Sequence, residues 1–161
     1  NSEAARKRVM GEIRKRISSQ DARFWQLFSQ SSEDDQKILL FYVCLKTYKL
    51  VFDFHFNVTL SIWNSSSNTV DVYLYKMELD EIGGSDQFVF DLSDVSKKKS
   101  ISSYLCMLRE VNLLDATSNQ LKSVNPSAQV LDYMIKNREL WFLDACLLSA
   151  QTKSQLLSTA L

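Results

Sequence analysis

The residues best suited to chemistry in this 161-residue sequence are lysines and serines rather than any catalytic set. Ser96-Lys97-Lys98-Lys99 leads into Ser100-Ile101-Ser102-Ser103-Tyr104-Leu105-Cys106-Met107-Leu108, with small polar and basic residues first and apolar ones behind. Ammonium and hydroxyl groups at the leading end of a helix can donate to phosphate oxygens, and the positive end of the helix dipole adds to that attraction. The apolar rear would hold such a helix in its domain while the front approaches a groove, which is the make-up of a DNA-recognition helix. An ordinary amphipathic helix with a solvated lysine run has the same composition, so the pattern alone leaves both readings open. On the first reading Ser96, Lys97, Lys98, Lys99, Ser102 and Ser103 face the ligand. Lys122 joins them from a short extended piece at 121–124 that would follow the helix as a wing.

A second basic group lies at the start of the chain. Val9, Ile13 and Ile17 recur every fourth residue and so share one helical face, expected to pack inward. At about 100° per residue Lys7, Arg8, Arg14 and Lys15 fall on the other side, as a solubilising face or a phosphate-contacting one. Net charge is zero, yet the charges are segregated: residues 53 to 96 hold eight acids against the single base Lys76. Local potential, not net charge, is what a polyanion meets.

Other chemistry is hard to find. The one histidine, His55, sits in an apolar-alternating segment with no Cys or His nearby, which favours a structural role over a metal or acid–base one. Glycine-rich phosphate loops, paired-cysteine spacings and serine-nucleophile elbows are absent from the sequence. Cys44, Cys106 and Cys146 are odd in number, far apart and set among apolar neighbours, as expected of reduced core thiols in the cytoplasm. No enzyme, cofactor or metal is expected, and the longest apolar run, Ile38 to Leu45, is too short to span a membrane.

The elements that must position these residues are helices. Only three glycines and one proline interrupt the chain, so long helices in one domain over 1–161 are expected. Asp21, Ser31 or Ser32, and Ser93 or Ser96 are start signals for three of them, and Pro126 suits the first turn of another. The segment 52–62 is ambiguous. Phe52, Phe54, Phe56, Val58, Leu60 and Ile62 alternate with polar residues, which by itself is a strand; wound as a helix they make two apolar stripes.

The chain resembles the BrxA family of bacteriophage-exclusion (BREX) systems. The likeness is carried by Arg8 to Ile17, Phe24-Trp25-Gln26-Leu27-Phe28, Asp35 to Tyr42, Asp53-Phe54, Leu92 to Lys99 with Met107-Leu108-Arg109-Glu110, and Leu140 to Leu148. It implies a compact all-α fold with helix-turn-helix-like units, binding of double-stranded DNA, and membership of a defence complex that methylates host DNA and blocks phage replication. It also implies further residues ahead of the first helix. The expected protein is thus a non-enzymatic, monomeric, cytoplasmic DNA-binding accessory. The competing reading is an adaptor that docks a methyltransferase or ATPase partner through the acidic middle or the aromatic C-terminal helices. A transcriptional repressor would need a dimerisation seam, and the sequence shows none.

Overall fold

The computed structural model describes residues 2–160, except for the side chains of 157, 159 and 160. Among the described residues the regular structure is helical throughout, with only isolated two-residue bridges of extended pairing. The start signals act as read. Asp21 accepts from the Phe24 N–H at 2.9 Å and opens α2 (Ala22–Gln30); Ser32 and Ser93 do the same for α3 (Glu33–Thr47) and α8 (Asp94–Glu110). Each cap satisfies an N–H that the first helical turn leaves orphaned. Pro126 is not in a first turn: it precedes Ser127, whose side chain caps α9 (Ala128–Lys136).

α3 is the central element. Glu33, Asp34 and Asp35 complement its N-terminal dipole, and Ile38, Leu39, Phe41, Tyr42, Val43 and Leu45 are buried on almost every side. Its Asp35 is buried too and accepts from the Ser127 N–H at 3.1 Å, tying the start of α3 to the start of α9. Phe24 packs on Tyr42 and Tyr133, and Tyr42 stacks on Trp141 of α10 (Trp141–Ala145), so aromatic side chains join both ends of the chain to α3.

The ambiguous segment is helical. Residues 49–63 run as α4 (Lys49–Asp53), a π-helical turn (Phe54–Thr59) and α5 (Leu60–Trp63). Phe54, Val58 and Ile62 are buried as one stripe, and the stacked pair Phe52 and Phe56 lies against Trp141. The wider π turn brings two further polar residues, His55 and Thr59, into the core. There His55 Nε2 is 2.9 Å from the Ala145 carbonyl, His55 Nδ1 is 2.8 Å from the Tyr104 hydroxyl, and Thr59 Oγ1 lies 2.6 Å from Tyr104 and 2.8 Å from Tyr75. A carbonyl only accepts, so Nε2 carries the proton and Nδ1 accepts from Tyr104. Tyr75 can then donate to Thr59, whose own proton has two acceptors in reach, the Tyr104 hydroxyl at 2.6 Å and the Phe54 carbonyl at 3.3 Å.

The helices that lead into the basic run are α6 (Val72–Gly83) and the short α7 (Gln87–Phe90). Just past the end of α8, Asn112 takes the left-handed conformation at φ 61°, and the Leu113 N–H reaches back to the Leu108 carbonyl at 2.8 Å. Asparagine tolerates that conformation better than most residues. The extended piece lies earlier than 121–124. Residues 113–122 fold back on themselves, with Leu114 bridged to Leu121, and Thr69 bridged to Gln120 on the other side. Asp115 holds the tip by accepting from the Ser118 and Thr117 N–H groups, and these bonds bring its carboxyl down to about 2. The loop is pinned between two segments rather than standing free as a wing.

Two sequence expectations about burial are corrected. Val9, Ile13 and Ile17 of α1 (Glu3–Ser18) do not pack inward; no residue of α1 is buried. Of the cysteines only Cys146 is fully enclosed, while Cys44 is half-buried and Cys106 exposed on α8. A helical period says which side chains share a face, but not whether another element covers it.

The polar chain makes stability depend on pH. Burial, partly offset by the bond to Ala145, holds His55 down at about 4 from its ordinary 6.5. The unfolded chain therefore takes up a proton below 6.5 that the folded chain refuses until about 4, and stability falls as pH drops through that window by on the order of 3 kcal/mol. Urea unfolding at several pH values should show this loss in the native chain and a shallower one in His55→Gln, in which the other titrating groups are unchanged. Identical pH slopes in the two proteins would refute it.

Candidate nucleic-acid interface

α8 is held by its buried face. Ile101, Tyr104, Leu105 and Leu108 enter the core, which turns Val95, Lys98, Lys99, Ser102, Ser103 and Cys106 to solvent. Lys97 is different. Successive helical residues are about 100° apart, so three consecutive lysines cannot share one face. Lys97 points toward α6, where it pairs with Asp80 at 2.9 Å with only 16% of its side chain exposed. The expected lysine triplet is thus a pair, Lys98 and Lys99, plus a structural bridge.

The basic residues of α1 reach α8 through Tyr48, which sits between α3 and α4. Lys15 lies 4.9 Å and Arg16 5.3 Å from the centre of the Tyr48 ring, within range of cation–π attraction. Arg16 Nε donates to the Tyr48 hydroxyl at 2.9 Å, and that hydroxyl donates to Glu12 at 2.5 Å. Burial and then the bond to Glu12 push the Tyr48 hydroxyl up, so it keeps its proton for that bond. Nearby, the Trp25 indole N–H donates to the Ile17 carbonyl at 2.9 Å and fixes the end of α1.

Tyr48 also forms one wall of an open depression of about 430 Å³, whose opposite wall includes Ser96, Lys99 and Ser103 of α8. A second hollow of about 300 Å³ shares Ser103 and Met107 with it and continues between α3 and α8 past Leu40, Cys44 and Cys106. Together they make a trough along α8. Lys99 lines it together with Tyr48, the ring on which Lys15 and Arg16 rest, and Lys98 and Ser102 lie on the open face of α8.

The other candidates lie outside this grouping. Lys7, Arg8 and Arg14 are exposed along α1, Lys7 paired with Glu3 at 2.8 Å. Lys122 pairs with Asp115 in the loop beyond the far end of α8, roughly 20 Å of helix from Lys98. Arg16 and Tyr48 were missed from sequence: Arg16 looked like one more charge in a run, and nothing local distinguishes a tyrosine at a helix junction. Among the described residues no group of His, Cys, Asp or Glu could hold a metal ion, and no helix is long and apolar enough to cross a membrane.

The BrxA family model matches residues 1–138. The chain belongs to the BrxA family. BrxA proteins are part of BREX phage defence, and this chain is accordingly a BREX phage-defence protein. A crystal structure of an uncharacterized protein from Magnetospirillum magneticum is similar at a TM-score of 0.76 and 23% sequence identity, over 88% of this chain and 75% of that one. That likeness is one of fold. Among curated proteins none matches this BrxA chain.

If Tyr48 is the anchor of α1, Tyr48→Ala should free that helix without unfolding the rest. Amide hydrogen exchange in α1 should quicken on the order of tenfold, the loss of about 1 kcal/mol of net hydrogen bonding and ring contact. α3 and α8 should stay protected. Unchanged exchange in α1 would mean that other contacts hold it.

Proposed function

We propose that this BrxA chain is a non-enzymatic accessory that grips double-stranded DNA by its phosphates along the Tyr48 end of the α8 trough. The observation that carries this reading is the sharing of Tyr48: it brings Lys15 and Arg16 of α1 to the depression that Lys99, Ser96 and Ser103 line from α8. Bases separated by some eighty residues in sequence are thus linked through one tyrosine. Chain order supports it as well. α6, the short α7 and then α8 follow one another in the order of a helix-turn-helix unit.

Chemistry also indicates what kind of binding this is. Side chains that read bases in a bidentate manner are chiefly arginine to guanine, and asparagine or glutamine to adenine. The open face of α8 offers none of these, since Arg109 lies at the far end and donates to Asn119. Lysines and serines contact phosphates readily, so affinity should be nearly indifferent to sequence and strongly dependent on salt.

An adaptor role is the second reading. It is favoured by the exposed Phe88 and Phe90 of α7, which DNA contacts leave unexplained.

A salt titration of duplex binding tests the first reading. With about four phosphates neutralised, log affinity should fall against log salt with a slope of roughly minus 3.6, equal for unrelated sequences. Replacing Lys98 and Lys99 together by alanine should flatten the slope by about 2 units, and Lys15→Ala with Arg16→Ala by a similar amount. Lys97→Ala and Lys122→Ala should leave it almost unchanged, because both are engaged in ion pairs. If the last two flatten it and the first four do not, another surface binds the DNA.

A further inference from the structure

α7 carries three consecutive apolar residues on a helix too short to hide them. Val89 is buried, and Phe88 and Phe90 stand about 100° to either side of it. They remain 75% and 65% exposed, although a buried phenylalanine is among the larger single contributions to a core. Their position is fixed. Asp86 accepts from the Phe88 and Val89 N–H groups, and the Phe90 Cβ lies 3.7 Å from where a side chain on Gly83 of α6 would begin. Exposed apolar side chains continue on both neighbours, with Tyr73 and Met77 on α6 and Val95 in the first turn of α8. The Lys97–Asp80 pair draws those two helices together. The corner where α6, α7 and α8 meet is therefore an open surface of aromatic and methionine side chains, which interface cores favour.

Charge around that corner is acidic. Asp80, Glu81, Asp86, Asp91 and Asp94 are all exposed there, and Lys97 answers Asp80 alone. Four acids remain against Lys76 before the basic face of α8 begins at Lys98. Such a rim repels phosphate, whether of DNA or of an anionic lipid surface. A second copy laid face to face would set the same acids against each other. A cationic surface is drawn in.

We propose that this corner docks a basic amphipathic helix of a different protein, its apolar stripe against Phe88, Phe90 and Met77 and its lysines or arginines against Glu81, Asp91 and Asp94. The acids are spread over all three elements, so the partner must carry bases on both flanks of its apolar stripe, as a helix of period 3.6 does. This names the partner chemistry of the adaptor reading and rests on that reading.

Fluorescence polarisation with labelled synthetic peptides tests it without DNA. One peptide places leucine along a helical stripe and arginine elsewhere, a second exchanges the arginines for glutamate, and a third scrambles the first so that no stripe forms. The native chain should bind the first on the order of tenfold more tightly than either of the others, and less tightly as salt rises. Phe88→Ser with Phe90→Ser, and separately Glu81→Lys with Asp91→Lys, should each weaken that binding by on the order of tenfold. Duplex-DNA affinity should be unchanged in the phenylalanine pair. All four positions are exposed, and far-UV circular dichroism checks folding; the charge pair carries the test if the phenylalanine pair misfolds. Equal binding of the first and third peptides, or binding that neither pair of substitutions weakens, overturns the proposal. Preference for the glutamate peptide, lost in the phenylalanine pair, overturns the charge assignment and leaves the adaptor reading standing. Loss of DNA affinity in the phenylalanine pair assigns the corner to DNA and overturns both. Self-association of the native chain that the same substitutions abolish assigns it to a second copy and overturns the proposal as well.

Discussion

The fold depends on winding residues 52–62 as a helix around a buried chain of polar side chains. In a strand, His55 and Thr59 would point one way and Phe54 and Val58 the other. The π turn puts all four on one buried face, so the imidazole and hydroxyl are surrounded by apolar groups and must find their partners inside. They find them on three other elements: Tyr75 of α6, Tyr104 of α8 and the last carbonyl of α10. No buried side-chain polar atom among the described residues is left without a partner.

That chain fixes α8 in rotation as well as in place. Tyr104 must point at His55 and Thr59, and one turn of helix to either side of it Ile101 and Leu108 enter the core with it. Lys98, Lys99, Ser102 and Ser103 are then forced outward, and Lys97 is forced sideways onto α6, where Asp80 takes it up. The rim of the trough is thus a consequence of core packing. A substitution at Tyr104 would disturb the basic face although it touches no lysine.

Helix starts were legible in the sequence because a cap is a local device: Asp21, Ser32 and Ser93 each act on the N–H three residues on. The conformation of 52–62 was not, because its deciding partners lie 16, 49 and 90 residues distant. Phenylalanine alternating with Asp, His and Asn satisfies a strand pattern equally well, and only tertiary contacts break the tie. The basic residues were visible as residue types. Their selection was not: Lys97 and Lys122 are removed from the set by acids 17 and 7 residues upstream, and Arg16 enters it through Tyr48, 32 residues on. The extended piece after α8 was visible as a composition, yet its pairing with residues 68–70 needs a segment some fifty residues earlier.

A chain of zero net charge holds a polyanion best where its own acids lie farther off than salt screens, about 8 Å at physiological ionic strength. Not all of the acids here lie so far. Asp91 and Asp94 flank the leading end of α8, within a turn or two of Lys98 and Lys99, and subtract from the potential that a phosphate meets there. Lys97 answers one acid of the middle segment by pairing with Asp80, at the cost of its own place on the exposed face. The potential over the leading end of α8 is therefore a local balance, set by which acids the core packing of α8 brings beside Lys98 and Lys99 and not by the zero sum over the chain.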